Sequence, residues 1–251
     1  MKVSVLILTL NEELNIAECI RSVQGLTDDI IVFDSISSDN TVKIASDLGA
    51  RIVEREFSGW AAHQNWALNN IRFKYDWVLY VDADERVSTD LLYEISNLEP
   101  DGFKAFKVFR DNRFISGESL KFSMKCPGIV RLFTVNNIFY QRDINPVAFV
   151  DGKVGKLKSK LIHYNFSKGV DEWLFKHIDY AKREALEFRN GQFNQNLPIL
   201  KRRTANIVRF RFVLRMIYQL VFKLGILDGY AGFRYSVLIS FYEQLIEEYM
   251  R

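Results

Sequence analysis

The sequence predicts an α/β protein whose first half builds a parallel sheet and whose last third is helical. Three observations carry this. Apolar runs at residues 3 to 8, 30 to 33 and 77 to 81 are each followed by a helix-like pattern, which is the signature of βαβ units. The third run, Trp77-Val78-Leu79-Tyr80-Val81, opens directly into Asp82-Ala83-Asp84-Glu85. A buried strand ending in closely spaced carboxylates puts an oxygen-rich cluster at the sheet edge where open α/β folds bind ligands. From about residue 170 the pattern is helical to residue 251, with a break around residues 191 to 198.

Taken in order, Val3-Ser4-Val5-Leu6-Ile7-Leu8 is too short for a secretory leader with its cleavage site and reads as the first strand. Residues 13 to 23 follow as a helix with Leu14, Ala17, Cys19, Ile20 and Val23 on its apolar face. Residues 34 to 41, Asp-Ser-Ile-Ser-Ser-Asp-Asn-Thr, are turn and cap formers after the second strand. A helix over residues 42 to 49 closes on a glycine. A short strand at residues 51 to 53 and a helix at 61 to 70 return the chain to the acidic strand. Past Pro100 the alternation of residues 103 to 109 predicts a strand with one wet face. Residues 111 to 130 read as a long loop, a common form for lids and binding loops. Strands resume at residues 131 to 133 and 161 to 164.

Composition narrows the class. With 251 residues, 48% hydrophobic and 26% charged, the chain can bury a real core as one large or two small domains. A net charge of +3 gives no reason to expect nucleic acid. Cys19 and Cys126 are far apart and lack zinc-site spacing, which favours a reducing compartment over a disulfide framework. No window of about 18 uncharged apolar residues is present, so no spanning helix is expected.

The chemistry-bearing residues sit where strands end: Thr9-Leu10-Asn11-Glu12, Asp34-Ser35, and Asp82 with Asp84. In a parallel sheet these ends share one edge, and their oxygens suit a hard divalent cation carrying phosphates. At each position the competing reading is a helix cap or a turn, and for Asp39 and Thr41 the two stand level. The series resembles the inverting family 2 glycosyltransferases of GT-A fold, with their T-x-N-E, D-S-x-S-x-D-x-T and DXD motifs. It is nearest to the lipopolysaccharide core β-glucosyltransferase-like branch, through Gly59-Trp60-Ala61-Ala62-His63-Gln64-Asn65-Trp66-Ala67-Leu68 and Asp82-Ala83-Asp84-Glu85-Arg86-Val87-Ser88. Arg131-Leu132-Phe133, His163-Tyr164 and Leu227-Asp228-Gly229-Tyr230-Ala231-Gly232 extend it along the chain.

The resemblance implies a GT-A sheet, Rossmann-like at first and mixed in its second half, over residues 1 to 165, with a helical extension over 166 to 251. It implies transfer of a hexose from a nucleotide sugar, by default a UDP-sugar, to a lipopolysaccharide core or other lipid-linked glycan. Thr9, Asn11, Glu12, Asp34, Asn65 and Asp82 would bind the donor. Asp84 would hold Mg²⁺ or Mn²⁺, with His163 as a further ligand or, equally, a buried strand-end histidine. Inversion requires a carboxylate to take the acceptor's proton. Where relatives carry a His-Glu pair, this chain has Asn145-Pro146, which leaves Asp143, Asp151, Asp111 and Glu118 as substitutes, Asp143 being the nearest. Loss of that base would alternatively leave a non-catalytic nucleotide-sugar-binding scaffold. The cluster Lys201, Arg202, Arg203, Arg209, Arg211, Arg215 and Lys223, beside an aromatic and aliphatic face, suits an anionic membrane surface. The expected location is therefore cytoplasmic, peripheral on the inner membrane.

Overall fold

The computed structural model describes residues 1–141, 146–189 and 210–251. Asp143, Asn145, the break around residues 191 to 198, and Lys201, Arg202, Arg203 and Arg209 lie outside the described residues. The chain divides into two compact units, residues 1–111 with 126–163, and residues 112–125 with 164–251.

The first unit is the expected α/β sheet. Strands β1 (Ser4–Thr9), β2 (Ile30–Asp34), β3 (Arg51–Glu54) and β4 (Trp77–Asp82) are parallel, in the order β3-β2-β1-β4. Their connections are α1 (Ile16–Val23), α2 (Thr41–Asp47) and α3 (Trp60–Asn70). The second half is mixed: β5 (Glu85–Val87), β6 (Phe103–Asn112), β7 (Ile129–Thr134) and β10 (Lys153–His163) complete eight strands in the order β3-β2-β1-β4-β7-β6-β10-β5. Strands β8 (Ile138–Gln141) and β9 (Val147–Val150) form a separate antiparallel ribbon.

Successive strand residues project to opposite faces, and the core follows that rule. Val5, Ile7 and Val32 pack under α1 and α4 (Thr89–Ser96) with Ile16, Ile20 and Leu91. Leu6, Ile31 and Phe33 pack under α3 and the ribbon with Ala67, Leu68 and Tyr140. Ile16 takes the place expected for Leu14, which is exposed, because residues 12 to 15 form a turn before the helix begins. In β6 neighbouring Ala105 and Phe106 are both buried, on opposite faces, so the strand has no wet face at this point, and its register with β7 shifts between Phe106 and Lys107.

The sheet also curls. Only Ala83 and Asp84 separate β4 from β5, yet three strands lie between them in the sheet order. Bringing β5 to the far edge beside β10 therefore folds the carboxyl end of β4 toward the ends of β6, β7 and β10.

The second unit holds α5 (Gly169–Arg189), α6 (Arg211–Ile217), a π-helical turn (Tyr218–Phe222), a 3-10 turn (Gly225–Asp228) and α7 (Gly229–Met250). Ala181 and Ala185 of α5 meet Ile246 of α7 in one cluster, while Phe114, Leu120, Phe166, Trp173, Tyr235 and Ile239 form another. The Leu227 to Gly232 stretch is structural. Asp228 accepts backbone N–H bonds from Lys121, Phe122 and Ser123 at 2.8 to 3.2 Å, and the Ser123 hydroxyl at 2.7 Å. Gly229 has φ +64°, and a Cβ on Gly232 would lie 2.1 Å from the Gly225 carbonyl oxygen.

The expected orientation of the basic helix is corrected here. Arg211, Arg215, Gln219 and Lys223, the polar residues repeated every fourth position, face inward. Glu243 accepts from Arg211 at 3.0 Å and lies 3.8 Å from Arg215, and Glu247 accepts the Arg211 backbone N–H at 3.1 Å. Lys223 donates to the Ser123 carbonyl at 3.3 Å, and Gln219 is fully buried. The carboxylates at residues 243 and 247 are one helical turn apart, so they form a matching acidic stripe. Glu243 and Glu247 near the end of the chain thus pack on the basic helix, and it is this pairing that removes Arg211 and Arg215 from the surface.

Replacing Asp228→Ala should lower stability by about 2 kcal/mol or more in urea unfolding, because several donors lose one charged acceptor. Gly232→Ala should do the same by steric conflict. An unchanged midpoint for both would refute this account of the turn.

Candidate active site

The parallel strands deliver Thr9, Asp34 and Asp82 to one edge, since Thr9 is in register with Asp34 and Leu8 with Asp82. The loops after β1 and β2 are stitched together there. Thr9 donates its hydroxyl to Asp34 at 2.6 Å, and Asp34 also accepts the Ser37 N–H and hydroxyl, each at 2.6 Å. Asn11, with φ 54°, accepts from the Ser38 N–H at 2.8 Å. The Glu12 N–H donates to Thr41 at 2.7 Å, and its carboxylate accepts from Asn15 at 2.8 Å. Asp39 accepts from the N–H groups of Thr41 and Glu13 at 3.0 and 3.1 Å. Asp39 and Thr41 thus tie the two loops together.

Beside them the curl of the sheet gathers charge. Glu85 is fully buried, and Asp82 is part-buried. Arg110 of β6 donates to Asp82 at 2.5 Å and also to Glu85. Arg131 of β7 bonds Asp82 and lies 3.6 Å from Glu85 and 4.1 Å over the Tyr80 ring. Glu85 also accepts the backbone N–H of Asp82 at 2.9 Å. Two carboxylates and two guanidiniums therefore balance. Burial alone would raise the Asp82 carboxyl, but the Arg131 and Arg110 cations override it and hold it well below the usual carboxylate range.

Asp84 has a different partner. Its carboxylate lies 3.3 Å from Nε2 of His163, which β10 brings to the same place, and the two side chains are 27% and 10% exposed. Burial opposes ionisation of Asp84, and the bond to His163 outweighs it, so the carboxyl titrates below its ordinary value. Among the described residues no cluster of three or more His, Cys, Asp or Glu side chains stands ready for a metal. Asp84 and His163 are a two-donor set.

The other expected residues are elsewhere. Asn65 donates to the Tyr140 carbonyl and accepts its N–H, both at 2.8 Å, clamping α3 to the ribbon. Asp151 is exposed just after β9, bonded to Asn137 near the amino end of β4, the opposite edge from Asp82. Asp111 follows Arg110 on β6, and Glu118 belongs to the second unit. Sequence reasoning missed Glu85, Arg110 and Arg131 as a group. Arg131 was visible only as part of a strand motif, and Arg110 carried no signal.

A match to the family model described as Glycosyl transferase family 2 covers residues 4–149, which include Thr9, Asp34, Asp82, Asp84, Arg110 and Arg131 but not His163. The chain belongs to glycosyl transferase family 2. Among its relatives, proteins of Rickettsia typhi and Rickettsia conorii, each named an uncharacterized glycosyltransferase, are both 43% identical over 94 residues. That match covers 38% of this chain and 32% and 33% of those proteins, so it spans about a third of their length. Among solved structures, glucosyl-3-phosphoglycerate synthase from Mycobacterium tuberculosis, in complex with Mn²⁺, uridine diphosphate and glucosyl-3-phosphoglycerate, is similar at 30% identity. That likeness covers 43% of this chain and 44% of the other at a TM-score of 0.36, a partial superposition. The fold assignment rests on the strand order and the family match.

His63, in the segment before the acidic strand, stacks on Phe33 at 4.1 Å between Ser35 and Arg55. Arg55 can only donate, so Nδ1 accepts and Nε2 carries the proton toward Ser35. Burial first, and then the Arg55 cation, push the imidazole down to about 4. An unfolded histidine titrates near 6.5 (roughly), so the unfolded chain binds the extra proton between these values. Stability from this site is complete above the unfolded value and is lost as pH falls toward the folded one. Burial lowers His177 of the second unit to about 4 as well, with the same sign. His63→Gln should flatten the fall in stability over this window by roughly 2 kcal/mol. A denaturation series across it that keeps its slope would exclude His63 as a source.

Proposed function

We propose that the protein transfers a hexose, with inversion, from a nucleoside-diphosphate sugar to a hydroxyl of a lipopolysaccharide core or other lipid-linked glycan. UDP-sugar is the default donor. The observation that carries the reading is the meeting of Asp82, Asp84 and His163 at the carboxyl edge of a parallel sheet in a chain of this family.

The donor set suits Mg²⁺ or Mn²⁺. Part-exposed Asp84 and buried His163 beside it offer one oxygen and one nitrogen donor, and such ions readily complete their shell with phosphate oxygens and water. A bound cation would stabilise negative charge building on the departing nucleoside diphosphate. The chain's own residues do the rest. Arg110 and Arg131 hold Asp82 ionised and fixed beneath the donor's diphosphate and ribose. Thr9, Asn11, Glu12 and Asp34 form the edge along which the nucleoside is proposed to lie, the Asp34 side chain being held in place by Thr9 and Ser37. Asn65, engaged at both ends by Tyr140, is assigned no ligand.

The acceptor oxygen must attack from the face opposite the leaving group and surrender its proton to a carboxylate. Asp143 is the proposed base. The pairing of Asp84 with His163 favours the enzyme over a scaffold, since a protein that only binds a nucleotide has no need to offset charge on a leaving group.

Two measurements test this. With UDP-hexoses, Mn²⁺ and a lipid-linked acceptor panel, Asp84→Asn should cut turnover by about 100-fold or more and weaken uridine diphosphate binding only when metal is present. Nucleotide binding by the unaltered protein without turnover on any acceptor would instead support a binding scaffold. Asp143→Asn should cut kcat by about 100-fold or more while leaving donor affinity unchanged; full activity in that variant would move the base to another carboxylate.

A further inference from the structure

The polarity of α6 and the turns after it is inverted relative to a helix packed in water. A helix on a water-solvated protein buries its apolar stripe and exposes its charges. Here the charges and the amide of Gln219 face inward, while α6 exposes Val213, Leu214 and Ile217. The turns continue the surface. Phe222 is 74% exposed, Ile226 66% and Tyr230 76%, with Val221, Leu224 and Leu227 also exposed. Both polar atoms of the Gln219 side chain are buried without a partner among the described residues. Polar seam inside and apolar side chains outside is the arrangement of helices whose solvent is lipid.

The length of the elements fixes how such a unit meets a bilayer. Among the described residues no helix is long and apolar enough to cross a membrane. The apolar surface belongs to a seven-residue helix, two turns and the first turn of α7, which can enter the interfacial layer but not span it.

We propose that α6 and the turns from Tyr218 to Tyr230 form a membrane-embedding face that seats the second unit in an anionic bilayer surface. The charge pattern decides between lipid and a second copy of the chain. The sole carboxylate in residues 201 to 230 is Asp228, which is engaged by the backbone of residues 121 to 123. Exposed Lys121 borders that turn, and Arg234 lies 5.8 Å from the Tyr230 ring. Cations beside aromatic rings, with no free acid, complement lipid phosphates. A self-complementary dimer through the same face would set cation against cation. This inference stands apart from the proposed catalysis, because it concerns the second unit alone and its test uses no sugar donor.

The test is flotation of the full chain with vesicles of phosphatidylcholine, with and without phosphatidylglycerol. The protein should float with the anionic vesicles and more weakly with the zwitterionic ones. The triple variant Phe222→Ser, Ile226→Ser, Leu227→Ser should reduce vesicle partitioning by about tenfold or more. Tyr93→Ser, at an exposed aromatic of the first unit, should leave it unchanged. In case the triple variant misfolds, Ile226→Cys in a Cys126→Ser background, labelled with a polarity-sensitive dye, should shift to the blue on anionic vesicles. No flotation, wild-type flotation by a folded triple variant, or an unshifted dye would overturn the proposal. So would a concentration-dependent dimer, abolished by the triple variant, in a protein that ignores vesicles.

Discussion

The balanced group of Asp82, Glu85, Arg110 and Arg131 is the constraint from which the first unit's site follows. Curling the sheet brings the ends of β4, β5, β6 and β7 together, and each contributes one charge. Taking a single ion out of water costs several kcal/mol, about what one paired guanidinium or carboxylate can recover only with good geometry. The group satisfies that condition by pairing each guanidinium with both carboxylates. Removing any member would leave an odd charge at the point where the sheet closes on itself.

This pairing separates the roles of two aspartates that look equivalent in the motif. Asp82 is held by two cations from neighbouring strands, whereas Asp84 turns toward His163 and keeps part of its surface open. Burial opposes ionisation in both cases, and different partners overcome it. A carboxylate locked between guanidiniums is a fixed, charge-balanced acceptor. One beside an imidazole at the mouth can change partners when a ligand arrives.

The second unit applies the same electrostatics with opposite consequences for its surface. Glu243 and Glu247 draw Arg211 and Arg215 inward, so the apolar side of the short helix has only the outside left to it. Asp228 is likewise engaged by the backbone of residues 121 to 123. Pairing of charge inside, rather than hydrophobic burial, orients these elements.

The sequence by itself determined the elements whose pattern is local. The runs that became β1, β2 and β4 are apolar on both faces, as parallel strands covered by helices must be, and with them came the edge that carries Thr9, Asp34 and Asp82. The short β5 and most of β10 were missed: three residues are too few for a period, and Lys153 to Lys160 are too polar. Arg211, Arg215, Gln219 and Lys223 recur every fourth residue, but period gives a stripe and not its direction. Only the tertiary structure decided that direction, the grouping of Arg110 and Arg131 on Asp82 and Glu85, and the different settings of Asp82 and Asp84. The physical reason is common to all three. Each depends on which charges meet after distant segments close on one another, and pairing across such separations leaves no trace in the local spacing of residues.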